Sequence, residues 1–231
     1  MKLQSPTAIL FDLDGTLVDS VGDIAYAANE MLSQLGMPHC PDADIRHYVG
    51  NGVRLLVDRA LVRDIAGGAS DKQIDAAIEI FRGIYSRSCV ARTTLMPHAR
   101  KTLESLAAEG VILSVVTNKP EGPTRQILDH FQLSPIIASI VGGDTLAVRK
   151  PDPAVVRESL LRAGLDHTAG AWFVGDSHTD VLTAKSAGMP SIIVRGGYNH
   201  GAPLEEMDPP PGVIIDHLAE VFAMYRAARS I

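Results

Sequence analysis

Short apolar runs recur along the chain, each followed by polar or turn-forming residues. The first, Ala8–Phe11 ("AILF"), runs straight into Asp12. "VILSVVT" (Val111–Thr117), "IIASIVGG" (from Ile136), "AWFVGD" (Ala171–Asp176), "SIIV" (from Ser191) and "GVIID" (from Gly212) repeat the pattern. Continuous apolar runs of this length predict strands covered on both faces. Helical spacing separates most of them. One helix is predicted after Pro97, with Leu103, Leu106 and Ala107 on its apolar face and Gly110 past its end. Others are predicted from Pro153 to Ala163, before Gly164, and from Thr179 to Ala187, before Gly188. Proline at the start and glycine just past the end are the expected helix punctuation. Strands alternating with helices imply crossover units and an α/β fold with a doubly wound, mostly parallel sheet.

Residues 19–95 break this alternation and carry no clear strand pattern. Ser20 and Asp23 have capping-box spacing. Val21, Ile24, Ala25, Ala28, Met31, Leu32 and Leu35 then share one helical face, with Gly36 and Pro38 as the stop. Ser70 and Gln73 repeat the capping-box spacing before Ile74, Ile78, Phe81 and Tyr85. The expected organisation is a core made of residues 1–18 and 96–231, with an all-helical domain at 19–95 inserted after the first strand.

Composition narrows the function. The chain has 231 residues, 46% hydrophobic and 21% charged, within the range of soluble globular proteins. Its net charge of -6 argues against nucleic acid or an anionic membrane as partner. Cys40 and Cys89 are the only cysteines and have no zinc or disulfide spacing, which fits a reducing compartment. "MKLQSPTAILFD" does not read as a signal peptide, and no run is long enough for a membrane helix. A cytoplasmic protein is expected.

Four elements carry candidate chemistry. In "FDLDGT", Asp12 and Asp14 flank Leu13 and point the same way on an extended backbone. Two like charges at a strand end repel unless a cation or proton compensates, and Mg²⁺ suits one or two carboxylates plus a substrate phosphate. A polar turn is the plain alternative. Thr117 and Asn118 end the second strand, where a hydroxyl donates to a phosphate oxygen or merely starts a turn. Lys150, in "RKPDP", is either a solvated surface lysine or a cation for a phosphate or carboxylate. In "VGDSHTD", Asp176 stands at a strand end like Asp12, with Asp180 one helical turn on; helix capping is their alternative role. All four fall where a doubly wound sheet binds ligands, beyond the carboxyl ends of its strands.

The order DxDGT, Thr-Asn, Lys-Pro, GDxxxD resembles the phosphatases of the haloacid dehalogenase superfamily over nearly the whole chain. The helical insert has the position of that superfamily's type 1 cap. "DLDGTLVDS", "YVGNGVRLLVDRAL" (Tyr48–Leu61), "VTNKP", "GDSHTD" and "GGYNHG" (Gly196–Gly201) are similar to phosphoglycolate phosphatases. The resemblance implies that Asp12 is the nucleophile, forming an aspartyl phosphate, and that Asp14 is acid and then base. It implies Mg²⁺ on the Asp12 side chain, the Asp14 carbonyl and Asp176, with Asp180 supporting from behind. Thr117 and Asn118 would touch the phosphoryl group, and Lys150 would offset its charge. In the insert, Gly50, Asn51, Gly52 and Arg54 are candidates for substrate recognition, Arg54 pairing with a substrate carboxylate or lying exposed on a loop. All eight histidines are left without a role.

The expected partner is a small phosphorylated metabolite, 2-phosphoglycolate first, acted on by a monomer or homodimer. Another sugar phosphate, N-acetylmuramate 6-phosphate, a phosphomutase reaction and a non-catalytic binding role remain alternatives. A dehalogenase would have no use for Asp14 or Mg²⁺. A phosphonatase needs a lysine in the insert, where Lys72 alone occurs, at a helix start.

Overall fold

The computed structural model describes residues 3–166, 168 and 170–230, so the outermost ends of the expected core segments lie outside the description. Six strands form one parallel sheet: β1 (Ala8–Phe11), β4 (Ile112–Val116), β5 (Ser139–Val141), β6 (Ala171–Gly175), β7 (Ser191–Val194) and β8 (Val213–Ile215). Their spatial order is β5-β4-β1-β6-β7-β8. β1 is central: Phe11 lies opposite Val115 on one side and Val174 on the other. The chain therefore winds outward in both directions from β1, and its carboxyl end is the switch point of the sheet.

Two-residue alternation sends the strands' side chains into two separate cores. Ile9, Phe11, Leu113, Val115, Trp172 and Val174 pack on one face, with Leu103 and Leu106 of α5 (Ala99–Ala108) and Val221 and Tyr225 of α9 (Ala219–Arg229). Ala8, Leu10 and Phe173 pack on the other, with Val155, Val156 and Leu160 of α7 (Ala154–Arg162) and Ala184 of α8 (His178–Ser186). The remaining crossover helix is α6 (Glu121–His130). The run expected as a strand from Ile136 begins pairing only at Ser139, because a 3-10 turn occupies Ser134–Ile136.

Between β1 and β4 lie α1 (Val21–Gln34), α2 (Asp42–Tyr48), α3 (Val53–Val62) and α4 (Asp71–Ser88). They share a hydrophobic cluster containing Met31, Leu32, Ile45, Leu56, Ile78 and Phe81, and among the described residues Tyr198 is the one buried core-segment residue that joins it. The segment is not wholly helical at its base. β2 (Val18–Asp19) pairs antiparallel with β3 (Thr94–Leu95), holding together the two chain crossings into the insert. Leu35 falls just past the end of α1 and is exposed rather than buried.

The capping box expected at Ser20–Asp23 does not form. Asp23 is fully buried and instead accepts from the N–H of Arg92 (2.9 Å), the N–H of Thr93 (2.8 Å) and the Thr93 hydroxyl (2.8 Å). The carboxylate thus ties the first helix of the insert to the returning strand. The second box is present: the Gln73 side chain accepts from the Ser70 N–H at 3.0 Å. Among the described residues, no helix is long and apolar enough to cross a membrane.

Candidate active site

β1 delivers Asp12 to the switch point, its N–H continuing the ladder to the Val174 carbonyl at 2.9 Å. Leu13 turns into the core, and Asp14 returns to the same side as Asp12. A tight turn follows, in which the N–H groups of Leu17 and Val18 both donate to the Leu13 carbonyl. Gly15 has φ 86°, and a Cβ there would collide with the Asp176 carboxylate. Gly197 approaches Asp176 from the opposite loop with the same lack of room. Glycine at both positions lets two backbone segments close on one carboxylate.

Asp176 follows β6, but the helix cap is Ser177, so the Asp176 carboxylate is not spent on capping. Its oxygens accept from the Thr16 hydroxyl (2.6 Å) and the Tyr198 N–H (2.6 Å). Asp180 lies behind it. One Asp180 oxygen accepts from the Asp176 N–H (3.1 Å), the Ser177 N–H (3.0 Å) and the Ser177 hydroxyl (2.7 Å). The other takes the Lys150 ammonium at 2.7 Å. Lys150 Nζ also sits 2.8 Å from Asp12 Oδ1, an ion pair without hydrogen-bond alignment, which leaves that buried oxygen able to accept more.

Asp12, Asp176 and Asp180 have carboxylate oxygens within 4.8 Å of one another, all buried. Burial, reinforced by the Asp180 charge, outweighs Lys150 and pushes the Asp12 carboxyl up to about 6. Burial, then Asp180 and Asp12, push Asp176 up as well. Burial lowers the Lys150 ammonium, but Asp12 and Asp180 outweigh it and the net direction is up. Three carboxylates against one ammonium leave two negative charges uncompensated when all are ionised. An all-oxygen donor set with that excess charge and an unaligned Asp12 oxygen fits a hard divalent cation.

Asp14 stands apart from this cluster. Lys119 Nζ lies 2.9 Å from both its oxygens, and the Ser20 hydroxyl donates to it at 2.5 Å. Lys119 was not among the sequence candidates. Its signal was its place in the quoted "VTNKP", two residues after Thr117. Its Nζ lies 4.8 Å from the centre of the Tyr85 ring, which the insert supplies. Tyr198 was also missed: its hydroxyl donates to Asp19 (2.5 Å) and accepts from the N–H groups of Ser20 (2.9 Å) and Val21 (3.1 Å). One residue thus touches Asp176 through its backbone and the base of the insert through its side chain.

The cavity above these groups has a volume of about 50 Å³. Asp12, Asp14, Thr117, Asn118 and Lys119 form its floor; Ile24, Val49, Leu56, Phe81 and Tyr85 of the insert form an apolar roof. The Asn118 side-chain N–H groups donate to the carbonyls of Gly50 (3.2 Å) and Lys150 (3.4 Å), while its Oδ1 is buried without a partner. Gly50 and Gly52, both at positive φ, line the cavity. Asn51 does not: its side chain bonds Arg59 (3.2 Å) and Thr179 (3.4 Å). Of the two readings open for Arg54, the structure shows the exposed one, at the start of α3 rather than on a loop. It points away from the cavity and pairs with Asp71 and Asp75, each at 2.5 Å, because α4 offers two carboxylates one turn apart on that exposed side.

Residues 9–194 match the family described as haloacid dehalogenase-like hydrolase. A phosphoglycolate phosphatase from Pseudomonas fluorescens is 41% identical over 214 residues, covering 92% of this chain and 77% of that protein. One from Rhodospirillum rubrum is 42% identical over 197 residues, 84% of this chain and 81% of that protein. Among solved structures, a predicted phosphoglycolate phosphatase from Haemophilus somnus superposes with a TM-score of 0.87 at 31% identity, covering 96% of this chain and 98% of that one. The chain belongs to the haloacid dehalogenase-like hydrolases, among their phosphatases.

Proposed function

We propose that the protein is a Mg²⁺-dependent phosphatase that hydrolyses 2-phosphoglycolate through an aspartyl phosphate on Asp12. The observation that carries this reading is the pairing of two differently equipped carboxylates on one cavity floor. Asp12 is ion-paired with Lys150 beside Asp176, and Asp14 is held separately by Lys119 and Ser20. One is placed to meet phosphorus, the other to meet the leaving oxygen.

In the first step an Asp12 oxygen bonds to phosphorus, the bond from phosphorus to the ester oxygen breaks, and Asp14 gives that oxygen a proton. Glycolate leaves. In the second step Asp14 takes a proton from water, the water oxygen bonds to phosphorus, and the Asp12 carboxylate is released with inorganic phosphate. Thr117 and Asn118 hold phosphoryl oxygens, and Lys150 offsets charge on Asp12 and the phosphate. Asp12, the Asp14 carbonyl and Asp176 would hold Mg²⁺, which supplies the charge neutralisation a carboxylate needs to approach a phosphate dianion. Asp180, its oxygens already engaged, keeps Lys150 and the Asp176 loop in place.

Residues 19–95 act as a cap that admits substrate and then excludes water. Their own apolar cluster and two-stranded neck support that role. The small cavity and the names of the relatives favour a small phosphorylated metabolite over nucleic acid or membrane. Two free, buried thiols fit a cytoplasmic setting, as monomer or homodimer. The test is phosphate release from a panel of small phosphomonoesters with and without Mg²⁺. Phosphoglycolate should rank first in kcat/KM and chelation should abolish turnover; a higher-ranking sugar phosphate would replace the substrate and leave the mechanism.

A further inference from the structure

A leaving group that carries a carboxylate brings a charge into a cavity whose roof is apolar, and that charge needs a partner there. Arg54 is turned outward onto Asp71 and Asp75. Lys150 lies between Asp12 and Asp180 and does not line the cavity. Among the described residues lining the cavity, Lys119 is the one cationic side chain. Its ammonium touches both oxygens of Asp14, the group that faces the ester oxygen in the mechanism above. In a phosphorylated 2-hydroxy acid only one carbon separates the ester oxygen from the carboxylate. A cation seated on Asp14 therefore lies beside that carboxylate whenever Asp14 reaches the ester oxygen. Tyr85 of the insert stands over the same ammonium, so the site is complete only with the insert in place.

We propose that Lys119 is the specificity-determining residue for the leaving group, pairing with a carboxylate on the carbon next to the ester oxygen. This rests on the phosphatase reading of the site and assigns its selectivity to the core rather than to Arg54.

The experiment compares kcat/KM for 2-phosphoglycolate and for 2-hydroxyethyl phosphate, in which a neutral hydroxymethyl group replaces the carboxylate. The wild type should prefer the carboxylate. Lys119→Met should lose roughly 10- to 100-fold of that preference, the range of a charge-assisted hydrogen bond, beyond any fall in kcat that both esters share through Asp14. Lys119→Arg should keep most of it. If Lys119→Met melts early, Lys119→Gln carries the same comparison with a polar side chain. Binding of 2-phosphoglycolate and of inorganic phosphate to Asp12→Asn, with and without Lys119→Met, gives a readout free of turnover: only phosphoglycolate should weaken. An equal fall for both esters, or a preference that survives in Lys119→Met, overturns the inference and leaves Lys119 as a support for Asp14. A wild type indifferent to the carboxylate overturns both this inference and the proposed substrate.

Discussion

Asp12 and Asp14 have the same residue type, two positions apart, and the structure gives them different company. Asp12 faces Lys150 and the Asp176 cluster; Asp14 faces Lys119 and Ser20. Substitution should separate them. Asp12→Asn should remove turnover and any acid-stable label from a phosphoryl donor. Asp14→Asn should keep phosphate binding and lose roughly 10²- to 10⁴-fold in turnover, the usual range of general acid–base catalysis. Steady-state kinetics with equilibrium phosphate binding checks both, and normal turnover in either variant contradicts its assigned role. The titration of Asp12 has its own consequence for the metal-free protein. Its carboxyl moves from 3.8 to about 6 through burial first. A raised folded value means the native state holds a proton that the unfolded chain has lost. The contribution is therefore complete below about pH 3.8 and lost as pH rises through about 6. Asp176 acts in the same direction. The Tm gain on adding Mg²⁺ should thus be larger at pH 7.5 than at pH 4.5, and Asp176→Asn should shrink it.

At the scale of elements, the two crossings into the insert are fastened by buried polar groups rather than by length of pairing. β2 and β3 pair over two residues each. Asp23 supports them from α1 by accepting from Arg92 and Thr93, and Tyr198 supports them from the core. Asp23→Ala leaves the Thr93 and Arg92 N–H groups without their acceptor, the Thr93 hydroxyl keeping the Cys89 carbonyl, and should cost about 1–3 kcal/mol, read as a lowered midpoint in urea unfolding. Tyr198→Phe keeps the backbone contact to Asp176 and removes only the hydroxyl. Hydrogen exchange at residues 18–23 should quicken in that variant, while the Mg²⁺ affinity stays within about threefold, less than the 1.4 kcal/mol that makes a factor of ten. Unchanged exchange would show that the hydroxyl does not hold the neck. The capping spacing at Ser20–Asp23 was misleading because partners outside the helix end take both side chains: the Ser20 hydroxyl donates to Asp14, and Asp23 accepts from Thr93. At Ser70–Gln73, on an exposed helix start with no such competitor, the same spacing formed the local bond.

Across the whole molecule, the parallel sheet, the flanking helices α5, α7 and α8 and the break in alternation at 19–95 were readable because each follows from local periodicity, while α6 and α9 were not read. Strand ends bearing Asp12, Thr117 and Asp176 were readable for a related reason, a doubly wound sheet converging its carboxyl ends on one crevice, whereas Lys150 reaches it from the turn before α7 rather than from the end of β5. Hydrophobic pattern and strand-end polarity therefore determined the fold class and brought Asp12, Asp14, Thr117, Asn118 and Asp176 to the crevice, but not Lys119. Contacts between distant segments were decided by the tertiary structure alone. Arg54 has a suitable charge and a suggestive place in sequence, yet α4 claims it with two carboxylates. Lys119 drew no assignment from the sequence, yet the fold buries it between Asp14 and a tyrosine from a helix that precedes it by more than thirty positions. The physical reason is that charge pairing is short-ranged and geometric. Sequence spacing states which face of its own element a side chain takes, and only the packing of elements states which opposite charge it meets there.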